Sequence, residues 1–174
     1  MLSLLIAAIY SFTVPYISTA RTEAEGSPIK FTLQQTIQTP DKIFNLVNNK
    51  RVSFKVAPLH RNEELTKIAE VRAQDMANRH YFGHKSPEGK YFFDLIQADN
   101  YNVGYVCENL DTLISSNPNG YINDWLSAGN GHRDCMLNSA TTDVGFAIAK
   151  VGTSNTNKSG VDNYIIVAIQ AELL

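Results

Sequence analysis

Asn62-Glu63-Glu64-Leu65-Thr66-Lys67-Ile68-Ala69-Glu70-Val71-Arg72-Ala73-Gln74-Asp75-Met76-Ala77-Asn78-Arg79-His80, running directly into Tyr81-Phe82-Gly83-His84-Lys85-Ser86-Pro87-Glu88-Gly89, is the stretch on which the fold turns. Its first part reads as a long helix. Asn62 is placed to cap it, and Glu63 and Glu64 sit in the first turn, where the helix dipole favours negative charge. Leu65, Ile68, Ala69, Ala73, Met76 and Ala77 recur at helical spacing, so one face packs on a core. Ala73 and Ala77 are small enough to let a sheet or a second helix approach closely. Gly83, Pro87 and Gly89 then break regular structure, leaving His84 and Ser86 at the point of breakage.

Upstream, Thr39-Pro40-Asp41 opens another helix, with Thr39 as cap, proline at the first helical position and an acid against the dipole. Ile43, Phe44, Leu46 and Val47 supply its apolar face to about Asn49. Lys50 to Arg61 reads as a connection. Downstream, residues 91–98 form a short helix, and Val103 to Leu110 is extended with Glu108 near its far end. Residues 115–120 form a loop. A helix carrying Tyr121, Ile122, Trp125 and Leu126 ends at Gly129-Asn130-Gly131, placing His132 just past it, and Arg133 to Leu137 reads as another helical turn. The last third is β. Val144–Val151 alternates in part, and Tyr164–Ile169 is a near-continuous apolar run, as expected of a central strand covered on both faces. Helices first and an antiparallel sheet later predict an α+β fold with helices on both faces of the sheet.

The chain has 174 residues, enough for one ordinary domain and a short extension. Apolar residues make up 44% and charged residues 18%, which supports a real core. The net charge of −2 leaves no basic footprint for nucleic acid, so that partner class is excluded. Residues 1–20 are apolar up to Ile17, are interrupted by Pro15, and end with Ser18 and Ala20 spaced like a signal-peptidase site. We read them as a secretory signal peptide or, if uncleaved, an N-terminal anchor, although the start carries no lysine or arginine. The apolar run falls short of the ~20 residues of a comfortable membrane span. Residues 21–38 read as a linker and 39–174 as the domain. The expected location is extracellular, secreted or anchored at the cell surface, with membrane contact only through that N-terminal segment. Cys107 and Cys135 fit export. Each lies within three residues of a candidate site residue, so they are either bonded to each other or are two buried thiols.

Taken together, Phe82-Gly83-His84-Lys85-Ser86-Pro87 with Gly89, Glu108-Asn109-Leu110, Trp125 leading to Gly131-His132-Arg133 and Leu137-Asn138, and Val144-Gly145 follow one another in an order that resembles the CAP superfamily. These are the cysteine-rich secretory, antigen 5 and pathogenesis-related proteins, also called the SCP domain, and the chain is most similar to the short form of secreted bacterial proteins. The resemblance covers roughly Thr39 to Leu173. It implies a three-layer α-β-α sandwich with a central, mainly antiparallel sheet. It also implies a cleft of two histidines and two acids. By motif, His84, Glu108 and His132 take three of those places, and the fourth falls on Ala128.

Two histidines and a carboxylate are the donor set of a zinc site with a position left for water. The expected cofactor is therefore Zn2+ or another divalent cation on His84, Glu108 and His132, with Ser86 and Asn109 beside them in the binding cleft. Hydrolysis would further need a proton acceptor beside a metal-bound water, and no free carboxylate near these residues in sequence offers itself. Ser86 lies two residues from His84, a placement that rarely gives nucleophile-to-imidazole geometry, and bracing its own turn is the simpler role. The expectation is a non-enzymatic binding module for an extracellular ligand or protein. The alternatives are a zinc-assisted extracellular hydrolase of peptide or cell-wall material, and a structural or adhesive module in which Glu108 merely hydrogen-bonds the imidazoles. Asn109 is expected to bond a neighbouring backbone. His80 reads as a surface residue and His60 as a loop residue, while Trp125 and the Tyr91-Phe92-Phe93 cluster read as core.

Overall fold

Strand β4 (Asn163–Leu173) is the centre of the protein, and its period-2 alternation sorts everything else. The structure is a computed structural model, and it describes residues 39–98, 101–113, 120–127, 129, 131–151 and 163–174. Ile165, Val167, Ile169 and Ala171 face one core, and Ile166 and Ala168 face the other. Both faces of β4 are thus buried, as its unbroken apolar run requires.

The sheet has four strands in the order β1-β3-β4-β2. β2 (Val103–Leu113) and β3 (Asp143–Val151) each pair antiparallel with β4, and the two-residue β1 (His60–Arg61) pairs parallel with the start of β3. The sheet is therefore mixed and mostly antiparallel. Helix α2 (Glu63–Arg79) and the short α3 (Phe92–Ala98) cover one face, contributing Leu65, Ile68, Ala69, Met76, Phe92 and Ile96. α1 (Pro40–Ser53), α4 (Gly120–Ser127) and α5 (His132–Met136) cover the other, contributing Ile43, Val47, Tyr121, Ile122, Trp125 and Met136. This is an α+β sandwich of three layers, α-β-α.

Local chemistry accounts for the main elements. Asn62 Oδ1 accepts from the backbone N–H of Glu64 at 3.0 Å and of Leu65 at 3.1 Å, so the cap of α2 is formed as the sequence predicts. Thr39 caps α1 through Lys42 N–H at 3.3 Å. α2 then crosses β3 at Gly145, where a Cβ would lie 2.1 Å from the backbone carbon of Leu65; only glycine allows that approach. Trp125 is buried, and its indole N–H donates to Leu110 O at 3.0 Å, which ties α4 to β2 across the second core.

Two expectations change. α1 runs on to Ser53 rather than ending near Asn49, and the expected connection over residues 50–61 holds the end of that helix and strand β1, in which His60 takes part. The Tyr91-Phe92-Phe93 cluster is not all core. Phe92 is 8% exposed, but Tyr91 and Phe93 are 37% and 39% exposed and stack on each other at 5.1 Å, because three consecutive residues at a helix start cannot share one face. The helical turn expected from Arg133 is α5, which starts at His132.

The described residues fall within one compact unit, Gln35–Leu174. The expected leader (1–20), the linker (21–38), Asn130 and the Ala128 position lie outside the described residues. No helix among the described residues is long and apolar enough to cross a membrane.

Candidate functional site: a histidine cleft at the β2 edge

β2 is an outer strand of the sheet, and the cleft forms around its edge. Successive residues of β2 point to opposite faces. Glu108 and Leu110 point toward α2, whereas Cys107 and Asn109 point toward α5. His84 approaches from the first side and His132 from the second.

The His84 side is organised by a residue that sequence reading missed. Arg72 lies within the apolar stripe of α2 and is 3% exposed. Its Nε donates to Glu108 Oε1 at 3.0 Å, and Nη2 reaches Oε2 at 3.5 Å. Nη2 also donates to Gly83 O at 2.8 Å, and Nη1 to the Tyr81 hydroxyl at 3.1 Å. That hydroxyl in turn donates to Asp75. One guanidinium therefore neutralises the buried carboxylate and also fixes the main chain one residue before His84. Burial by itself would lower the Arg72 pKa, but the hydrogen bond and Coulomb attraction of Glu108 outweigh it and the net direction is upward. The sequence did carry a signal for Arg72: a cation at a core-facing position, three and four residues after Ala69 and Ile68.

The Glu108 side chain is fully buried, and its Oε2 lies 2.8 Å from His84 Nδ1. A carboxylate paired with a guanidinium can only accept, so Nδ1 is the donor. The His84 side chain is 47% exposed. Ser86 turns away from this chemistry. Its hydroxyl accepts from Lys90 N–H at 3.2 Å, its N–H donates to Lys90 O at 2.7 Å, and its carbonyl accepts from Gly89 N–H at 2.8 Å. Ser86 thus braces its turn, with Gly89 in the left-handed region at φ 87°.

The His132 side hangs on α5. Gly131, at φ 91°, turns the chain into this helix. Cys107 and Cys135 are bonded to each other with Cα atoms 5.8 Å apart, so β2 and α5 are cross-linked one residue from Glu108 and three residues from His132. A bridge across a 28-residue separation stabilises by about 3–4 kcal/mol on the chain-entropy account. Asn109 Nδ2 donates to His132 O at 3.0 Å, which fixes the backbone of that residue from β2. Arg133 lies along the surface, its guanidinium 5.0 Å from the Phe54 ring and 3.4 Å from Leu126 O.

The two imidazoles meet with ring centroids 5.9 Å apart and planes tilted by 43°. Burial, and then the neighbouring His84, push the His132 pKa below its ordinary value of 6.5, so its ring is neutral at pH 7. His132 Nδ1 and Asn109 Oδ1 are both buried without a hydrogen-bond partner among the described residues. The structure thus brings His84, Glu108, His132 and Asn109 together and leaves Ser86 occupied in its turn. Glu108 accepts from Arg72 on both oxygens and from His84 on Oε2. Among the described residues, no group of three or more His, Cys, Asp or Glu side chains is arranged to hold a metal ion.

A three-layer α-β-α sandwich with a His-Glu-His cluster at the edge of its sheet is the arrangement that the order of motifs implies. The comparisons agree. Residues 44–169 match the cysteine-rich secretory protein family, and the chain belongs to this CAP family. It is 29% identical over 112 residues to YkwD, an uncharacterized protein of Bacillus subtilis (strain 168), in an alignment covering 64% of this chain and 43% of the relative. The chain thus spans less than half the length of that relative. Among solved structures, an outer surface protein of Borrelia burgdorferi aligns with a TM-score of 0.64 at 18% identity, over 79% of this chain and 97% of the other. An extracellular SCP-domain protein of Bacillus anthracis str. Ames aligns with a TM-score of 0.55 at 22% identity, over 75% and 44% respectively. At these identities the structural likeness establishes the fold alone.

Proposed function

We propose that this protein is an extracellular CAP domain that binds, rather than transforms, its ligand, and that its cleft takes a divalent cation, Zn2+ being the reference case, through the imidazoles of His84 and His132. The observation that carries this reading is the pairing of His84 Nδ1 with Glu108 Oε2 at 2.8 Å beside a second imidazole, that of His132. A carboxylate behind a histidine fixes its tautomer and raises the basicity of the opposite nitrogen, the usual arrangement behind a metal-bound imidazole. The unpartnered, buried Nδ1 of His132 supports the fit, since it is a donor atom with nothing else to do among the described residues. In this reading Glu108 orients a ligand, because its carboxylate is held by Arg72 and pairs with His84 Nδ1. When bound, the cation would act as a Lewis acid toward an incoming anionic or carbonyl group. Arg72, Tyr81 and Asn109 would hold the two histidines in register, and the relatives with extracellular or outer-surface descriptions support the location.

Calorimetric titration of the purified chain with ZnCl2 tests this reading. Wild type is expected to bind, Glu108→Gln to bind about 10–100-fold more weakly, and His84→Ala with His132→Ala to lose binding. Unchanged zinc affinity in the double variant would sink the assignment of the cleft. An absence of binding in folded wild type would leave the cluster as a structural tie between α2, β2 and α5.

A further inference from the structure

The two sulfurs of the Cys107–Cys135 bond sit in unlike surroundings. Cys135, on α5, is 3% exposed. Cys107 is half-buried on β2, an outer strand of the sheet, and Gly104 and Tyr105 just before it are exposed. Access from solvent therefore favours the sulfur of Cys107.

The buried sulfur has a polar partner. Gln170 pairs across the sheet with Cys107, and its Nε2 donates to Cys135 Sγ at 3.6 Å. Its Oε1 accepts from Arg51 Nη1 at 3.4 Å. A guanidinium can only donate, so this contact fixes which end of the amide faces the sulfur. Gln170 and Arg51 are both buried. A disulfide sulfur is a weak acceptor, whereas a thiolate is charged and accepts strongly. An amide N–H backed by a buried cation thus suits the charge that Cys135 carries only once the bond opens.

We propose that Cys107 is a thiol-exchange site for a low-molecular-weight thiol, with Cys135 as the leaving group held by Gln170, and that opening this bond loosens His132. The thiolate attacks Cys107 Sγ and forms a new S–S bond there. The old bond breaks with its electron pair on Cys135, which then takes a proton from water. A second thiolate attacks the added sulfur and releases Cys107, and the external thiol departs as its own disulfide. The protein gains the two electrons that the thiol pair loses. The consequence falls on α5, whose five residues are too few to hold a helix alone. Its far end is held by Arg51, which donates to Met136 O and Asn138 O. Its near end is held by the disulfide and by Asn109, which donates to His132 O at 3.0 Å. Opening the bond leaves the Asn109 contact to hold His132 against β2, while His84 keeps Glu108 and Arg72 behind it. The exchange needs no metal, so this inference stands or falls apart from the cation reading.

The test incubates the oxidised full chain, free of metal, with reduced glutathione at about pH 8, where a free thiol is partly ionised. The reaction is quenched in acid and mapped by mass spectrometry. Glutathione is expected on Cys107 about tenfold more often than on Cys135. Gln170→Glu keeps an oxygen for Arg51 and removes the N–H that faces Cys135, and it is expected to slow the exchange about tenfold. A chain that was merely destabilised would exchange faster, so the direction separates the two. Hydrogen exchange reads the consequence. Full reduction is expected to speed the Cys135 amide, bonded to Gly131 O at 2.9 Å, about tenfold more than the Tyr81 amide, bonded to Met76 O on the His84 side. Any of four results would overturn the proposal: no mixed disulfide on the folded chain, glutathione on Cys135 as often as on Cys107, undiminished exchange in Gln170→Glu, or equal acceleration of the two amides.

Discussion

Arg51 and Arg72 are buried on opposite faces of the sheet, and the groups around them differ in kind. Arg51, in the last turn of α1, is 0% exposed and has no carboxylate among its partners in the described residues. It donates to the carbonyls of Ala57 at 2.8 Å, Met136 at 2.9 Å, Asn138 at 3.0 Å and Thr141 at 3.1 Å, with Thr141 Oγ1 and Gln170 Oε1 at 3.3 and 3.4 Å. Its pKa is pushed down by burial, as expected of a cation solvated only by neutral dipoles. Arg72 faces a buried carboxylate, and its pKa goes up. Arg51 thus gathers chain ends: the end of α1, the turn after α5 and the entry to β3. Arg72 instead holds a charge in place, and that charge holds His84. One arginine secures the fold behind the site, and the other belongs to the electrostatics of the site itself.

The largest consequence should follow from removing Arg72, since it strands Glu108 as a buried charge without a cation. Arg72→Met is expected to destabilise the protein by about 3–5 kcal/mol in urea unfolding. Glu108→Gln in the same background should recover part of that loss, because an amide does not need a counter-ion. A positive coupling of about 1–3 kcal/mol in the double-mutant cycle is the expected result. Strict additivity would mean that the two side chains are merely adjacent, and the contrast with Arg51 would lose its basis.

The sequence disclosed α2, β3 and β4 because each carries a repeated pattern: the Asn62 cap with a 3.6-residue stripe, and the long apolar run ending in Ala171. Strand β1 was not legible. Two residues hold no periodicity, and His60 and Arg61 become a strand only because Asp143 and Val144 come beside them in the folded chain. Within the site, His84, Glu108, Asn109 and His132 stand at helix breaks and strand positions that motif order connects. Arg72 does not, since it sits in mid-helix among apolar residues and its role appears only when β2 brings Glu108 against it. Arg51 was hidden for the same reason, because its acceptors are backbone carbonyls, which carry no sequence signature.

Removing Arg51 should cost less than removing Arg72, although Arg51 makes more hydrogen bonds. Arg51→Met leaves neutral carbonyls without a donor and also abolishes the burial of a lone cation, so the two terms partly offset. A loss of about 2–3 kcal/mol is expected, carried mainly by the unmet carbonyls. Zinc affinity should stay within a few-fold of wild type, because Cys107–Cys135 and the Asn109 bond to His132 O still tie α5 to β2. If Arg51→Met abolished zinc binding while the chain remained folded, the division between a fold-securing and a site-securing arginine would be wrong.

A third arginine sets the lower end of the scale. Arg79 pairs with Glu88 on the surface of the His84 loop, with Nη1 to Oε2 at 2.9 Å, and its guanidinium lies 5.8 Å from the Tyr81 ring. The Arg79 hydrogen bond holds the Glu88 carboxyl down at about 2, against an ordinary 4.5. A depressed acid stabilises the folded state above its ordinary pKa and loses that contribution as pH falls through the folded value, here between about 4.5 and 2. Both side chains are solvated, so the contribution is small and screened. Arg79→Gln is expected to lower the melting temperature at pH 7 by no more than about 2 °C, and ~1 M NaCl should erase the difference. The gap between the two proteins should also narrow as pH falls from about 4.5 toward 2, where Glu88 begins to protonate in the folded wild type. A loss as large as that of Arg51→Met, or one indifferent to salt, would mean that the loop carrying His84 is held from outside by Arg79 and not from inside by Arg72.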